Sequence, residues 1–335
     1  MKRYCAGVFA ISEILAVLIA GALLAGPTAQ ALFQVLGIDV QPTDYAAQLA
    51  DPWRGALIAG IPIVSRFFWL LLFAFLILRL VHGVTPRAAG VSRGGHSWLR
   101  LLGAGLLLFA VAALPMKLIF LADAYVDIGE GLSGWQLWSQ QSLTLGFLVF
   151  VLAAQVVLPP LFEEPFARGY MRVRLIRAFG AAGGVIIAGT MFMLGHGHFY
   201  QADALTLAIF GSTIFAAICW TWVAFRMGSI IPPMIAHALG NVPAPLEPDV
   251  LLATVASLIV IALIGGRTVA REFGAFSGEF GAAPKGLLVF GLALVGAALA
   301  GIVLFEGALP VVGIAALVLM IAGWIPPMRR WGEGM

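Results

Sequence analysis

The sequence predicts an all-α fold, a polytopic bundle of transmembrane helices, and three observations carry that prediction. Of 335 residues, 61% are hydrophobic and 10% charged, and the mean hydropathy is +1.02. That leaves too little polar side chain to cover a soluble globule of this length. The apolar residues arrive in runs near the ~20 residues that an α-helix needs to cross a bilayer. The basic residues collect in alternate connections, as cytoplasmic loops do.

Taken in order, the runs predict about ten spans, near 4–26, 56–82, 99–122, 141–162, 183–199, 204–225, 229–245, 250–266, 286–306 and 309–326. Lys2 and Arg3, the apolar run from Tyr4 to Leu24 and then Ala29-Gln30-Ala31 have the outline of a secretory signal. The length of the run and its carboxylate, Glu13, favour a retained first helix, with Glu13 snorkelling or paired to a neighbour. The second run contains Arg66 and ends at Arg79.

Orientation follows from charge. Lys2 and Arg3 precede the first run, and Arg87, Arg93 and Arg100 follow the second. Arg168, Arg172, Arg174 and Arg177 follow the fourth, Arg226 the sixth, Arg267, Arg271 and Lys285 the eighth, and Arg329 and Arg330 the last. The other connections hold Asp39, Asp44, Asp51, Asp123, Asp127, Glu130, Asp203, Glu247 and Asp249, with Arg54 their one basic residue. This segregation predicts both termini on the cytoplasmic side. The cluster at 168–177 then reads as a solvated cytoplasmic face or a contact with lipid headgroups.

The organisation predicted is threefold. Residues 1–140 hold the N-terminal helices and an interfacial segment at 123–140, anchored by Trp135 and Trp138. Residues 141–245 hold the polar motifs, and residues 246–335 hold accessory helices beyond a Gly- and Phe-rich linker at 267–285. Cys5 and Cys219 both lie in apolar runs and form no disulfide framework or metal spacing. The net charge of +3 sits at the ends of runs, so nucleic acid is excluded as a partner. Membrane lipid is the surrounding solvent.

An ionisable residue at membrane depth marks a functional site, and such residues concentrate in one stretch. Pro159-Pro160-Leu161-Phe162-Glu163-Glu164-Pro165-Phe166-Ala167-Arg168-Gly169 is followed by Phe192-Met193-Leu194-Gly195-His196, and then by His237-Ala238-Leu239-Gly240-Asn241. Glu164 and Arg168 share one helix face, as do His237 and Asn241. Peptide hydrolysis needs a base for water and donors for an oxyanion. Desolvation makes a carboxylate such as Glu163 a better base. His196 is placed to share the water or protonate the leaving amine, and His237 and Asn241 to donate to the oxyanion. Each element has a plainer reading. Glu164–Arg168 is also what an i,i+4 pair at a membrane edge looks like, and an intramembrane histidine is often a helix–helix hydrogen-bonding group. His198, two residues past His196, falls outside the pattern.

The three motifs in this order resemble the CAAX-protease and bacteriocin-processing family of intramembrane proteases, which includes the type II CAAX prenyl endopeptidases. Glu163, Glu164, Arg168 and Gly169 fit its first motif, Phe192 and His196 its second, His237 and Asn241 its last. The resemblance covers roughly residues 141–245. It implies an intramembrane endopeptidase with Glu163, His196, His237 and Asn241 as catalytic residues, and Glu164 and Arg168 as structural or substrate-positioning ones. Two departures stand out: Pro165 directly follows the glutamates, and the aromatic usually placed before the arginine is at Phe166, with Ala167 in its place.

Glu163, His196 and His237 also form a conceivable two-His-one-carboxylate zinc site. The expectation is a reaction without metal or other cofactor, because the two histidines come from different runs and Glu164 is already taken by Arg168. No His-Glu-x-x-His occurs. Gly131-Leu132-Ser133-Gly134 spells a rhomboid-like tetrapeptide, but in an acidic connection. A transporter should show two related halves with paired broken helices, and the sequence has none. A non-catalytic membrane regulator that keeps the protease fold is the alternative. The expected substrate is a membrane-associated protein or peptide, and the expected setting a prokaryotic plasma membrane. If both runs are straight, Glu163 lies near the cytoplasmic end of its span and His196 near the outer end of the next. Their meeting requires either that the prolines break the fourth run or that the fifth begins deeper.

Overall fold

A computed structural model describes residues 2–39, 52–129, 148–149, 151–196, 203–242, 246–304 and 308–324. Residues 130–140 of the expected 123–140 interfacial segment, the 131–134 tetrapeptide and His198 lie outside them. Every regular element among the described residues is helical: the chain is a helical membrane protein. Three long helices come first, α1 (Lys2–Val35), α2 (Pro52–Leu80) and α3 (Trp98–Val126). A continuous helical run, 152–179, follows. It comprises a π-helical segment (Leu152–Val157), α4 (Leu158–Glu164), a second π segment (Pro165–Met171) and α5 (Arg172–Phe179). Beyond it lie α6 (Ala181–Leu194), α7 (Ala204–Met227), α8 (Ile231–Gly240), α9 (Pro248–Ile264), α10 (Gly266–Ala282), α11 (Lys285–Leu304) and α12 (Ala308–Trp324).

By length and composition, α1, α2, α3 and α7 can each cross a membrane, and the pair α9–α10, bent by 76°, is a fifth candidate. Among the described residues these are four candidate spans, or five with the bent pair, against the ten that the apolar runs predict. At 14 and 10 residues, α6 and α8 are shorter than the ~20 a crossing needs. Composition could not reveal this, because a helix buried among others is as apolar as one in lipid. The stretch at 267–285 is a helix, α10, over most of its length. Arg267, Arg271, Glu272 and Glu279 beside Phe273, Phe276 and Phe280 give it the face-to-face contrast of a helix lying along an interface.

The run 152–179 sits between two groups of helices. On one side α1 packs along α2 and α12. On the other, α3 packs against α7, α8 and α9. Two apolar clusters fill these sides. The larger includes Ile11, Ile14, Leu70, Leu78, Tyr170 and Leu175, and the smaller Phe120, Met193, Leu205 and Ile209. Phe192 packs against both.

The run turns back into α6 at Gly180, whose φ of +79° is in the left-handed region that suits glycine. Glu163 lies about 17 residues before that turn and His196 about 16 after it, so at ~1.5 Å per residue both stand roughly 25 Å from the turn. This resolves the mismatch of depth: the helix carrying the glutamates continues well past them, and the reversal comes at Gly180. The prolines do not break it.

Gly184 fixes how closely α5 and α6 approach, because a Cβ there would run into the backbone of Ile176. Gly184→Leu is therefore expected to cost at least the ~1–3 kcal/mol of overpacking and to lower the thermal unfolding midpoint in detergent. Gly103→Leu is the control, since nothing lies within 4 Å of a Cβ there.

Candidate active site

The site begins with three prolines. A proline inside a helix has no N–H to donate and its ring crowds the carbonyl four residues back. The run meets this by widening into π turns, at 152–157 ahead of Pro159 and Pro160 and from Pro165 to Met171. π turns are frequent at functional sites. Pro159 leaves the Gln155 carbonyl without its usual helical donor, and an unsatisfied carbonyl in an apolar medium costs several kcal/mol. The side-chain Nδ2 of Asn241 donates to that carbonyl at 2.9 Å. Asn241 caps the C-terminus of α8, so the proline gap docks the last motif onto the first.

Glu164 is wholly buried, and its Oε1 accepts two hydrogen bonds, from Arg168 Nη1 at 3.0 Å and from His237 Nδ1 at 2.8 Å. The pair with Arg168 is thus interior, not the membrane-edge pair of the plainer reading. Arg168, also wholly buried, lies with its guanidinium carbon 4.2 Å from the Phe192 ring centre and 5.3 Å from that of Trp220, a cation held between aromatic faces. Trp220 stacks on His237 with centroids 4.8 Å apart at 25°. Phe192 meets the His196 ring edge-on at 4.9 Å.

Glu163 meets the other nitrogen of the same His237 ring. Its Oε2 is buried without a hydrogen-bond partner. It lies 3.8 Å from His196 Nε2 and 3.9 Å from His237 Nε2. His196 Nδ1 is 2.9 Å from the Phe192 carbonyl, and His237 Nδ1 faces a carboxylate, so in both rings Nδ1 carries a proton and Nε2 is turned to Glu163. Glu163, Glu164, Arg168, His196 and His237 are brought together. Asn241 reaches the same helix at Gln155, about two turns before Glu163.

Two sequence expectations change here. The basic cluster at 168–177 is not a solvated face: Arg168, Arg172 and Arg174 are buried and Arg177 alone is exposed. Arg172 donates to the carbonyls of Arg168 and Ala89. Secondly, Glu164 is not used up by Arg168, because the same oxygen also orients His237. That removes one argument against zinc, since ligating histidines commonly have such a carboxylate partner. The spacing supplies another. Donors around a tetrahedral zinc lie roughly 3.3–3.5 Å apart, and the two Nε2 atoms stand farther than that from Oε2. Among the described residues, no three His, Cys, Asp or Glu side chains group as a metal site.

Sequence reasoning missed Gln155 and Trp220. A lone glutamine four residues before a proline was a usable signal for the first. Trp220 lies in an unbroken apolar run and carried none.

Residues 144–243 match the family model described as Type II CAAX prenyl endopeptidase Rce1-like. Over that stretch the chain is similar to the CAAX-protease family. The family is one of proteases, and the domain contains Gln155, both glutamates, Arg168, both histidines, Trp220 and Asn241. No curated protein and no solved structure matches the chain.

Within the domain, Arg168→Ala leaves the buried Glu164 carboxylate without its cation, a change expected to cost roughly 3–5 kcal/mol. A fall in the thermal unfolding midpoint in detergent checks this. Arg168→Lys should recover part of the loss, because a lysine keeps the charge but not the flat face that stacks on Phe192.

Proposed function

We propose that the protein is a glutamic intramembrane endopeptidase, hydrolysing a peptide bond in a membrane-associated protein or peptide with water activated by Glu163. The observation that carries this reading is the unpartnered Glu163 Oε2, faced by two histidine Nε2 atoms at 3.8 and 3.9 Å. These separations are too long for direct hydrogen bonds and suit one water bonded at about 2.8 Å to each neighbour.

Glu163 takes a proton from that water while His196 Nε2 accepts its second hydrogen and aligns it. The hydroxide oxygen bonds to the scissile carbonyl carbon, and the carbonyl oxygen becomes the oxyanion. His237 donates to it from Nε2 in its doubly protonated form, whose charge faces Glu164. The N–H of Asn241 not engaged by Gln155 donates as well. Collapse breaks the C–N bond, and Glu163 returns its proton to the leaving amine. Glu164 and Arg168 act through His237 and the helix that carries Glu163, as positioning residues. The reaction uses no metal or other cofactor. Both termini lie on the cytoplasmic side of what is a prokaryotic plasma membrane.

The test is a peptide-library cleavage assay on purified protein in detergent. Glu163→Gln and His196→Ala should abolish cleavage in protein that still inserts and folds. Near-normal turnover in either variant sinks the assignment. Intact cellular effects in Glu163→Gln would favour a regulator that retains the fold.

His237→Ala and Asn241→Ala should each lower kcat by roughly 10²–10³, with smaller effects on KM. A change confined to KM would make them substrate-binding residues. Cleavage should survive strong chelators. One zinc per chain, whose removal stops cleavage reversibly, would turn Glu163 into a metal ligand or the base for a metal-bound water.

A further inference from the structure

The described residues contain a second buried polar cluster, outside the site and unused by the mechanism. Glu13, in α1, is 1% exposed. Its Oε1 accepts from Tyr170 Oη at 3.0 Å and Arg174 Nε at 2.7 Å. Its Oε2 accepts from Arg174 Nη2 at 3.3 Å, His82 Nε2 at 2.9 Å and Trp324 Nε1 at 3.1 Å. One carboxylate thus gathers the helix carrying the glutamates, the chain just beyond α2, and the last turn of α12. Glu13, His82 and Trp324 lie outside residues 144–243.

The location of the donors gives the cluster its meaning. Tyr170 lies inside the second π segment and Arg174 one turn beyond it. A π turn differs from an α turn by one residue of register. Were that wide turn lost, so that the run closed as ordinary α-helix, the helix before it would rotate by about 100° relative to the helix after it. Glu163 would then turn away from His196 and His237. Pro165 widens the run at one end, and Tyr170 and Arg174, both held by Glu13, fix the other. Burying a charged pair is a poor way to gain stability, since apolar side chains of the same volume often do as well. What it supplies here is direction.

We infer that Glu13 is a positioning residue, which sets the rotation of the helix carrying Glu163 through Tyr170 and Arg174. It couples the first and last helices to the site. The kinetic part of this inference rests on the proteolytic reading; the geometric part does not.

The experiment compares the full-length protein with Glu13→Gln and Glu13→Asp in detergent, using two readouts. One is kcat and KM on a cleaved library peptide. The other is the rate at which dicyclohexylcarbodiimide, a reagent for carboxyls in apolar surroundings, modifies Glu163, followed by mass spectrometry. Glu13→Gln should lower kcat per folded molecule on the order of 10- to 100-fold, the scale of a small misplacement, with KM unchanged. The modification rate at Glu163 should change with it, and Glu13→Asp should recover part of both.

Unaltered kcat and unaltered modification, with only the unfolding temperature lowered, would make Glu13 a packing residue and overturn the inference. If the unsubstituted protein cleaves nothing, the proteolytic reading fails and the modification rate alone decides the role of Glu13. Should Glu13→Gln not fold, Trp324→Phe removes one donor and keeps the Glu13–Arg174 pair. The same two readouts then decide, with a smaller expected effect.

Discussion

A guanidinium with no exposure to solvent constrains everything around it. Arg168 is wholly buried, and its charge is tolerable because Glu164 balances it at 3.0 Å and two aromatic faces enclose it. The same carboxylate oxygen then reaches His237. A chain of bonds runs from one turn of the run 152–179 through Glu164 to α8, while Phe192 and Trp220 bring α6 and α7 against the same cation. Four successive helical elements are thus tied to one charge. In an apolar surround such a chain is held firmly, because every member left unpaired would carry its full desolvation cost. The geometry at Glu163 is a consequence: its neighbour is immobilised, and its own Oε2 is left facing the two histidines.

The helix that bears both glutamates is also shaped by what it lacks. Three prolines within seven residues would kink or end a helix in water. Inside a bundle the freed backbone can be satisfied by neighbours. Here the Gln155 carbonyl takes Asn241, and the remaining misfit is spread over two π segments. These widened turns decide which way Glu163 and Glu164 point, one toward the histidine Nε2 atoms and the other toward Arg168. Adjacent carboxylates of the same type thereby take different roles, set by which face of the run each occupies.

Among the described residues, this run and its neighbours bridge the two packing groups. The Glu13 cluster belongs to the first group, with α1, α2 and α12, while His237 and Trp220 belong to the second. The candidate site is therefore an interface property: Glu163 comes from the central run, His237 and Trp220 from one side, and the Glu13 bonds to Tyr170 and Arg174 from the other. Regions outside the matched domain are in this way part of how the domain is held.

The sequence by itself determined the helical membrane class, because hydropathy and charge placement report directly on the solvent a chain must satisfy. It also singled out most of the polar residues that the structure brings together, because glutamates, histidines and an arginine in apolar runs are too costly to be incidental. It could not determine depth. Straight runs put Glu163 and His196 at opposite faces of the bilayer, and only the long passage to Gly180 and back sets them level. Nor could it separate α6 and α8 from true spans, since burial in protein and burial in lipid ask for the same side chains. The burial of Arg168, Arg172 and Arg174 was likewise hidden, because a basic cluster after an apolar run is also what a cytoplasmic loop looks like. Partners for Glu13 from residues as far apart as His82, Arg174 and Trp324 exist only once the chain is packed. Hydrogen bonds between distant residues leave no periodicity to read; tertiary structure alone brings them within 3 Å or so.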